Sequence, residues 1–454
     1  MGLLIRGGEV VTALWRCRAD VWCAGETITK VAAGIEPPPG AVVVEAAGKW
    51  VLPGFIDPHV HAYLPLTHVT AKSDYANCTR AALLSGTTCI LDFAGAGQEK
   101  DFDEAWAAWE AQAAGKASCD YGFHLMIKRF DDGLKKQLER LVAKGLKSVK
   151  IYLAYKPALA IGDEDLYRVL EFAAAHDLVV LAHCENADLI PAMQKKLLAE
   201  GKTGPEWHEA SRPPMVEAEG VCTFLTFAAA TGAKAYVVHL SCAEALSMAD
   251  RFRGKLKHLY IETMIQYLTL DKSYAERPDF EGAKWILSPP LRERSDQAAL
   301  WAGLADGRID TLGTDHCPFD FNGQKTLGRG DFTKIPNGLA GVEERIALAY
   351  TAGVVGGKIS LERFVQVAAE NPAKIFGLWG RKGTVAPGFD ADLVVWDPNA
   401  KRTISQKTQS LDVDYNPYEG FEVVGAPEIV TVRGEIMVRG GKFVGTPGQG
   451  RLLS

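Results

Sequence analysis

Eight short, near-continuous apolar runs, with helix-forming stretches between most of them, constrain the fold of this 454-residue chain more than any other feature. They read GFIDPHVH, TTCILDFAG, DYGFHLMI, SVKIYLAY, LVVLAHCE, AYVVHLSC, LYIETM and IDTLGTDH. Strands that are apolar throughout, not in alternation, are buried on both faces, and helical intervals such as EDLYRVLEFAAAHD supply the covering layer. Eight such units in roughly 330 residues predict a closed (β/α)8 TIM barrel. An open doubly wound sheet is the alternative, but no glycine-rich phosphate loop follows the first run.

The two ends have another texture. Residues 1–52 alternate apolar and polar between Gly and Pro turns, and ADLVVWDP with EIVTVRGEIMVRGGKFVG repeats that pattern near the other end. Each reads as antiparallel β, and neither buries a face alone. The expected organisation is therefore a small β-sandwich built from 1–52 and 381–454, with the barrel, 53–380, inserted between its halves.

Composition narrows the function. A formal charge of −6 leaves no basic footprint for nucleic acid or an anionic membrane, and no apolar run reaches the length of a membrane span. Nine cysteines without paired spacing fit reduced thiols. Together with an opening, MGLLIRGGEVV, that lacks a secretory pattern, this predicts a cytoplasmic protein.

Ligand-type residues recur at the C-terminal ends of the runs: His59 and His61, His183, His239 and Asp315. In a barrel these ends converge on one mouth. His59 and His61, two apart on a strand, point the same way and could share one metal, or be two hydrogen-bonded histidines. Lys150 stands inside SVKIYLAY, where an unpaired ammonium is costly. Either it snorkels at an edge, or its amine carries CO2 as a carbamate, an anion with two oxygens able to bridge two divalent ions.

The motifs HVH after GFIDP, VKIYLAYK, AHCENA, GKTGPEWHEASRPP, VVHLSC, SPPLR, GTDHCPF, IPNGLAGVEER and GTVAPGFDADLVVWDP span nearly the whole chain. As a set they resemble the dihydropyrimidinase and D-hydantoinase family of cyclic amidohydrolases. The resemblance implies two divalent metal ions, zinc with manganese or cobalt as alternatives. His59, His61 and Asp315 would hold one ion, His183 and His239 the other, and carbamylated Lys150 would bridge them. It further implies a metal-bridging hydroxide as nucleophile, Asp315 as general base and then acid, and Tyr155 as oxyanion donor. Main-chain groups of Ser288 and Asn337 would bind the ring. The expected substrates are small cyclic amides, dihydropyrimidines or 5-substituted hydantoins, opened to N-carbamoyl amino acids by a homotetramer. The segment from about 405 onward is expected to help dock the subunits. Loops after the first and fourth runs, with Tyr63, Leu64, Pro65 and Leu66 and with Tyr152, Pro157, Leu159 and Ile161, would border the pocket and favour uncharged side groups. An allantoinase, a dihydroorotase-like enzyme or a non-catalytic scaffold are the competing functions. His68, His124, His176, His208, His258 and His316 are expected to be structural.

Overall fold

The computed structural model describes residues 2–66, 68–95 and 101–453. Each of the eight runs holds a strand: Phe55–Val60, Thr87–Ala94, Asp120–Met126, Ser148–Tyr152, Val179–His183, Lys234–Val237, Leu259–Met264 and Thr311–Gly313. They lie side by side in chain order, every pairing parallel. Helices such as Tyr75–Leu84, Asp132–Ala143 and Asp163–Ala175 cover the outside. Asp74 and Asp131 begin the first two of these helices by accepting backbone N–H groups of the first turn.

The barrel closes at its mouth. The N–H of Asp315 donates to the His59 carbonyl at 2.9 Å and that of His61 to the His316 carbonyl at 2.8 Å. Closure is reinforced from inside by Arg345, whose fully buried guanidinium donates to the carbonyls of Ile56 (2.8 Å) and Leu312 (2.7 Å) and to Thr87 Oγ1 (3.0 Å). One side chain thereby ties the first, second and last strands together.

The chain ends pair into a single nine-stranded sheet, joined where Trp50–Pro53 runs antiparallel to Leu393–Thr403. Leu3, Ile5, Val10, Val21, Val51, Leu393 and Val395 form its core. Two of its pairings correct the antiparallel expectation: Gly2–Val11 is parallel to both Val42–Glu45 and Trp50–Pro53. After the meander through Arg16–Ala24 and Thr27–Ala32 the chain crosses back to the other flank of its first strand, and a crossover of that kind fixes the parallel direction.

This sheet meets the barrel at the end opposite the mouth. There Lys382, buried, lies 2.7 Å from Asp120, 2.6 Å from Asp392 and 3.1 Å from Asp390, while Arg433 bonds the other oxygen of Asp120. The three carboxylates outweigh the burial penalty and raise the Lys382 pKa. Past residue 445 the chain runs back along the same end, with Arg451 N–H on Asp120 at 3.0 Å and Leu453 N–H on the Tyr121 carbonyl at 2.7 Å. Among the described residues no helix is long and apolar enough to cross a membrane. All nine cysteines are free.

Candidate active site

At the mouth, His59 Nε2 and His61 Nε2 lie 3.1 and 3.2 Å from the same Asp315 oxygen. One potential ligand atom from each falls within 4.8 Å of the others, the spacing of donors around a single cation. His239 faces His59 with ring centres 5.5 Å apart, and His183 meets His239 edge to face at 4.5 Å. His239 and Asp315 both adopt positive φ, 38° and 50°, outside regular strand geometry, just where their strands end.

Lys150 lies in the same interior. Its Nζ is buried without a hydrogen-bond partner, 5.0 Å from the Phe93 ring centre and 4.9 Å from that of Tyr152. Burial pushes its pKa down to about 8, with Asp315, Glu262 and Cys184 opposing. Edge snorkelling is thus ruled out, because the amine points inward. His61 Nδ1 and His239 Nδ1 are likewise buried and unpartnered. Burial, then His183 and Lys150, drives the His239 pKa well down, while His59 and His61 overcome burial to hold Asp315 well below the carboxylate range. Burial also lowers the His61 and His183 pKa, whereas Glu262 and Asp315 overcome burial to raise that of His59. Four imidazoles, an ionised carboxylate and an uncompensated amine form a donor set suited to divalent cations, so these residues fit a metal centre.

Two carboxylates that the sequence reading passed over orient these rings. Glu262, fully buried, places Oε1 2.8 Å from His59 Nδ1 and accepts the His239 N–H at 3.1 Å. Glu185 places Oε2 2.7 Å from His183 Nε2 and is itself bound by Arg212 at 2.7 Å, whose charge is chief among those outweighing burial to lower the Glu185 pKa to about 2. Each occupies one ring nitrogen of its histidine, so that only the other can bind a ligand. The signal was present: a Glu inside LYIETM is as anomalous as the Lys inside SVKIYLAY, and Glu185 shares the parity of His183.

Tyr155 adopts φ 68° at the turn after its strand, its ring 5.2 Å from His183 and under the Arg212 guanidinium. Burial raises its phenol pKa, and Arg212 opposes the shift, so the hydroxyl stays protonated and able to donate. Ser288 Oγ borders that phenol, buried without a well-formed hydrogen bond. Asn337 is half-buried on the loop before Gly338, whose N–H donates to the Ile286 carbonyl at 3.0 Å. Tyr152 stacks on His183. Leu64 packs with Ala71, Cys317 and Phe319, and Leu159 sits in the turn begun by Tyr155, donating its N–H to the Tyr155 carbonyl at 3.0 Å. The remaining histidines divide. His124 is held by Ser148 Oγ (2.6 Å) and the Pro58 carbonyl (3.0 Å), His208 by the Leu287 carbonyl (2.8 Å), and His316 receives the Gly341 N–H (3.1 Å); His68 is exposed. Burial holds the thiols of Cys184 and Cys317 protonated, which argues against a thiolate nucleophile.

A parallel barrel whose mouth gathers four imidazoles, an aspartate and a buried lysine has the architecture and donor set of a barrel enzyme able to hold a metal. The model of the amidohydrolase family matches residues 50–437. The D-hydantoinase of Geobacillus stearothermophilus is 43% identical over all of this chain and 96% of its own length. The dihydropyrimidinase of Rattus norvegicus is 38% identical over 99% of this chain and 88% of its own. A solved D-hydantoinase (dihydropyrimidinase) from Thermus sp. superposes with a TM-score of 0.97 at 50% identity, over 99% of this chain and 98% of that one. The chain belongs to the amidohydrolase family, in its dihydropyrimidinase and D-hydantoinase branch. It is a cyclic amide hydrolase.

Proposed function

We propose that the chain opens 5,6-dihydropyrimidines and 5-monosubstituted hydantoins to N-carbamoyl amino acids with two divalent cations, zinc in the first instance. The observation that carries this reading is the orphaned Lys150 amine, buried in the same barrel interior as the histidines. His59, His61 and Asp315 would hold one cation and His183 and His239 the other. Lys150 would bridge them after its neutral amine adds to CO2, forming an N–C bond and releasing a proton. Bound there, the cations would acidify a water toward neutral pKa and polarise the ring carbonyl.

The rest falls to the chain. Asp315, an ionised acceptor at the mouth, takes the proton of the attacking water and returns it to the ring nitrogen as the amide bond breaks. Tyr155 donates its hydroxyl to the oxygen that gains charge at the attacked carbon. Main-chain groups of Ser288 and Asn337 orient the ring. The names of the relatives support the two ring classes, with the D enantiomer for hydantoins. The uncharged loop Tyr63-Leu64-Pro65 favours apolar side groups over carboxylates, as does the loop of Tyr152 and Leu159. We further propose division at 1–52 with 381–454 and at 53–380, a homotetramer, and a cytoplasmic setting.

The test is a substrate panel on metal-replete protein: 5-phenylhydantoin, dihydrouracil, allantoin and dihydroorotate, with metal analysis alongside. Higher kcat/KM on the first two with about two divalent ions per chain is expected. Dihydroorotate or allantoin as best substrate would overturn it, as would a metal-free protein inert on all four.

A further inference from the structure

We propose that Lys325 is a positioning residue, a buried clamp that fixes the two substrate-binding loops at the barrel mouth to each other. The inference rests on the ring-binding role proposed for Ser288 and Asn337. In sequence Lys325 is an ordinary loop lysine between glycines, yet it is fully buried. Its Nζ donates to the Ile286 carbonyl at 2.7 Å, the Pro336 carbonyl at 2.7 Å and the Gly338 carbonyl at 2.8 Å. An ammonium has three donors, and all three are used. No carboxylate is among its partners, so an ion pair is not what holds it there; the three carbonyls and the Phe319 ring, 5.7 Å from Nζ, offset only part of the cost of burial, which lowers the pKa of the amine to about 7.

The identity of those three carbonyls gives the arrangement its meaning. Ile286 lies two residues before Ser288, and Pro336 and Gly338 flank Asn337 on both sides. The carbonyls on either side of Asn337 are committed to the amine, while Asn337 itself stays out of the tripod. The Gly338 N–H to Ile286 carbonyl bond is the only other direct main-chain link between the two segments among the described residues. Position 338 must be glycine for this: its φ is 149°, and a Cβ there would come within 2.2 Å of the Cys317 carbonyl. A lysine amine thus does for two loops what a strand ladder would do for two strands. It sets the separation of the groups that grip the ring while standing behind them, out of reach of the substrate.

The test compares Lys325→Met, which keeps the length of the side chain and removes every donor, with Lys325→Gln, which keeps two. For K325M we expect full metal content, a KM raised about tenfold and kcat within about threefold of wild type, the pattern of lost uniform binding. The KM rise should be the same for hydantoin and 5-phenylhydantoin, because the defect lies in the grip on the shared ring and not in the side-group pocket. K325Q should fall between K325M and wild type. If K325M does not accumulate folded, K325Q carries the same comparison with a smaller rise. A folded variant with KM within twofold of wild type overturns the clamp, and so does a loss of metal and kcat together at unchanged KM. Failure of the wild-type enzyme to open either ring would be a different result, overturning the ring-binding reading and the clamp with it.

Discussion

The two ends of the barrel bury charge in different ways, although Glu185 and Arg212 are a matched pair at the mouth too. At the closed end Lys382 and Arg433 face Asp120, Asp390 and Asp392, and each charge has an opposite partner at hydrogen-bond distance. At the mouth Lys150 has no partner at all, His61 and His239 each leave a ring nitrogen idle, and Asp315 is shared between two imidazoles. Burial is nearly complete in both places, so solvent does not account for the difference. Matched charge braces the terminal sheet against the barrel, whereas the mismatched groups at the mouth are those that the proposed cations would complete.

The largest effect should come from removing the most mismatched group. Lys150→Ala is expected to lose both metal and activity, the latter by roughly 10³-fold or more, since the cations supply several kcal/mol of transition-state stabilisation. Short carboxylic acids added to the variant should return part of both, by standing in for the carbamate. A variant with two metals per chain and wild-type turnover would erase the distinction between the ends.

The closed end should respond in stability and not in chemistry. Lys382→Met leaves Asp392 buried without its cation and Asp120 with Arg433 alone, and breaking a buried pair in this way costs about 3–5 kcal/mol. A large drop in the denaturation midpoint is expected, while kcat of the protein still folded at low temperature stays near wild type. A shift worth less than about 1 kcal/mol would mean that the cluster is not what joins the two parts.

Tyr155→Phe returns to the mouth with a smaller change, one oxygen atom. Removing one oxyanion donor costs about 2.7–4 kcal/mol, or 10²–10³ in kcat. Metal content and thermal midpoint should not move. A loss under about threefold would make Tyr155 a packing residue beneath Arg212.

How much of this was legible follows from where each partner lies in the chain. The barrel could be read because a strand buried on both faces has a local signature, and the convergence of His59, His61, His183, His239 and Asp315 because ligand-type residues at strand ends need no knowledge of their neighbours. Glu262 was missed because its meaning depends on His59, 203 residues away, although a carboxylate in an apolar strand was itself visible. Lys325 was illegible: in a glycine-bounded loop a lysine is ordinarily solvated, and only the folded path of residues 286–288 and 336–338 surrounds it with carbonyls. The parallel pairing of Gly2–Val11 was hidden for another reason, since strand direction leaves no mark on alternation.

Glu343 sharpens the comparison from between its two extremes, being neither ion-paired nor orphaned. Its carboxylate accepts the Ser410 N–H at 2.9 Å, the Ser410 hydroxyl at 3.1 Å and the Leu411 N–H at 3.3 Å, anchoring the segment beyond residue 405 to the barrel. Burial, then the neighbouring charge of Glu344, pushes its pKa up from 4.5 to about 7, and the donors from Ser410 and Leu411 only partly offset them. The folded pKa lies above the unfolded one, so between them the folded state binds more protons and stability falls as pH rises. The contribution of Glu343 is fully present below pH 4.5 and is lost as pH climbs through about 7. Glu343→Gln, permanently neutral, removes this dependence. The difference in unfolding free energy, wild type minus variant at fixed metal concentration, should therefore decline across that window by about 1–3 kcal/mol after allowance for partial exposure, and level off above it. Amide hydrogen exchange at Ser410 and Leu411 should show the same trend locally, slower in wild type at pH 5 than at pH 7.5 once the intrinsic pH dependence is removed. A difference that is flat, or that grows with pH, would mean that Glu343 is compensated as fully as the cluster around Lys382.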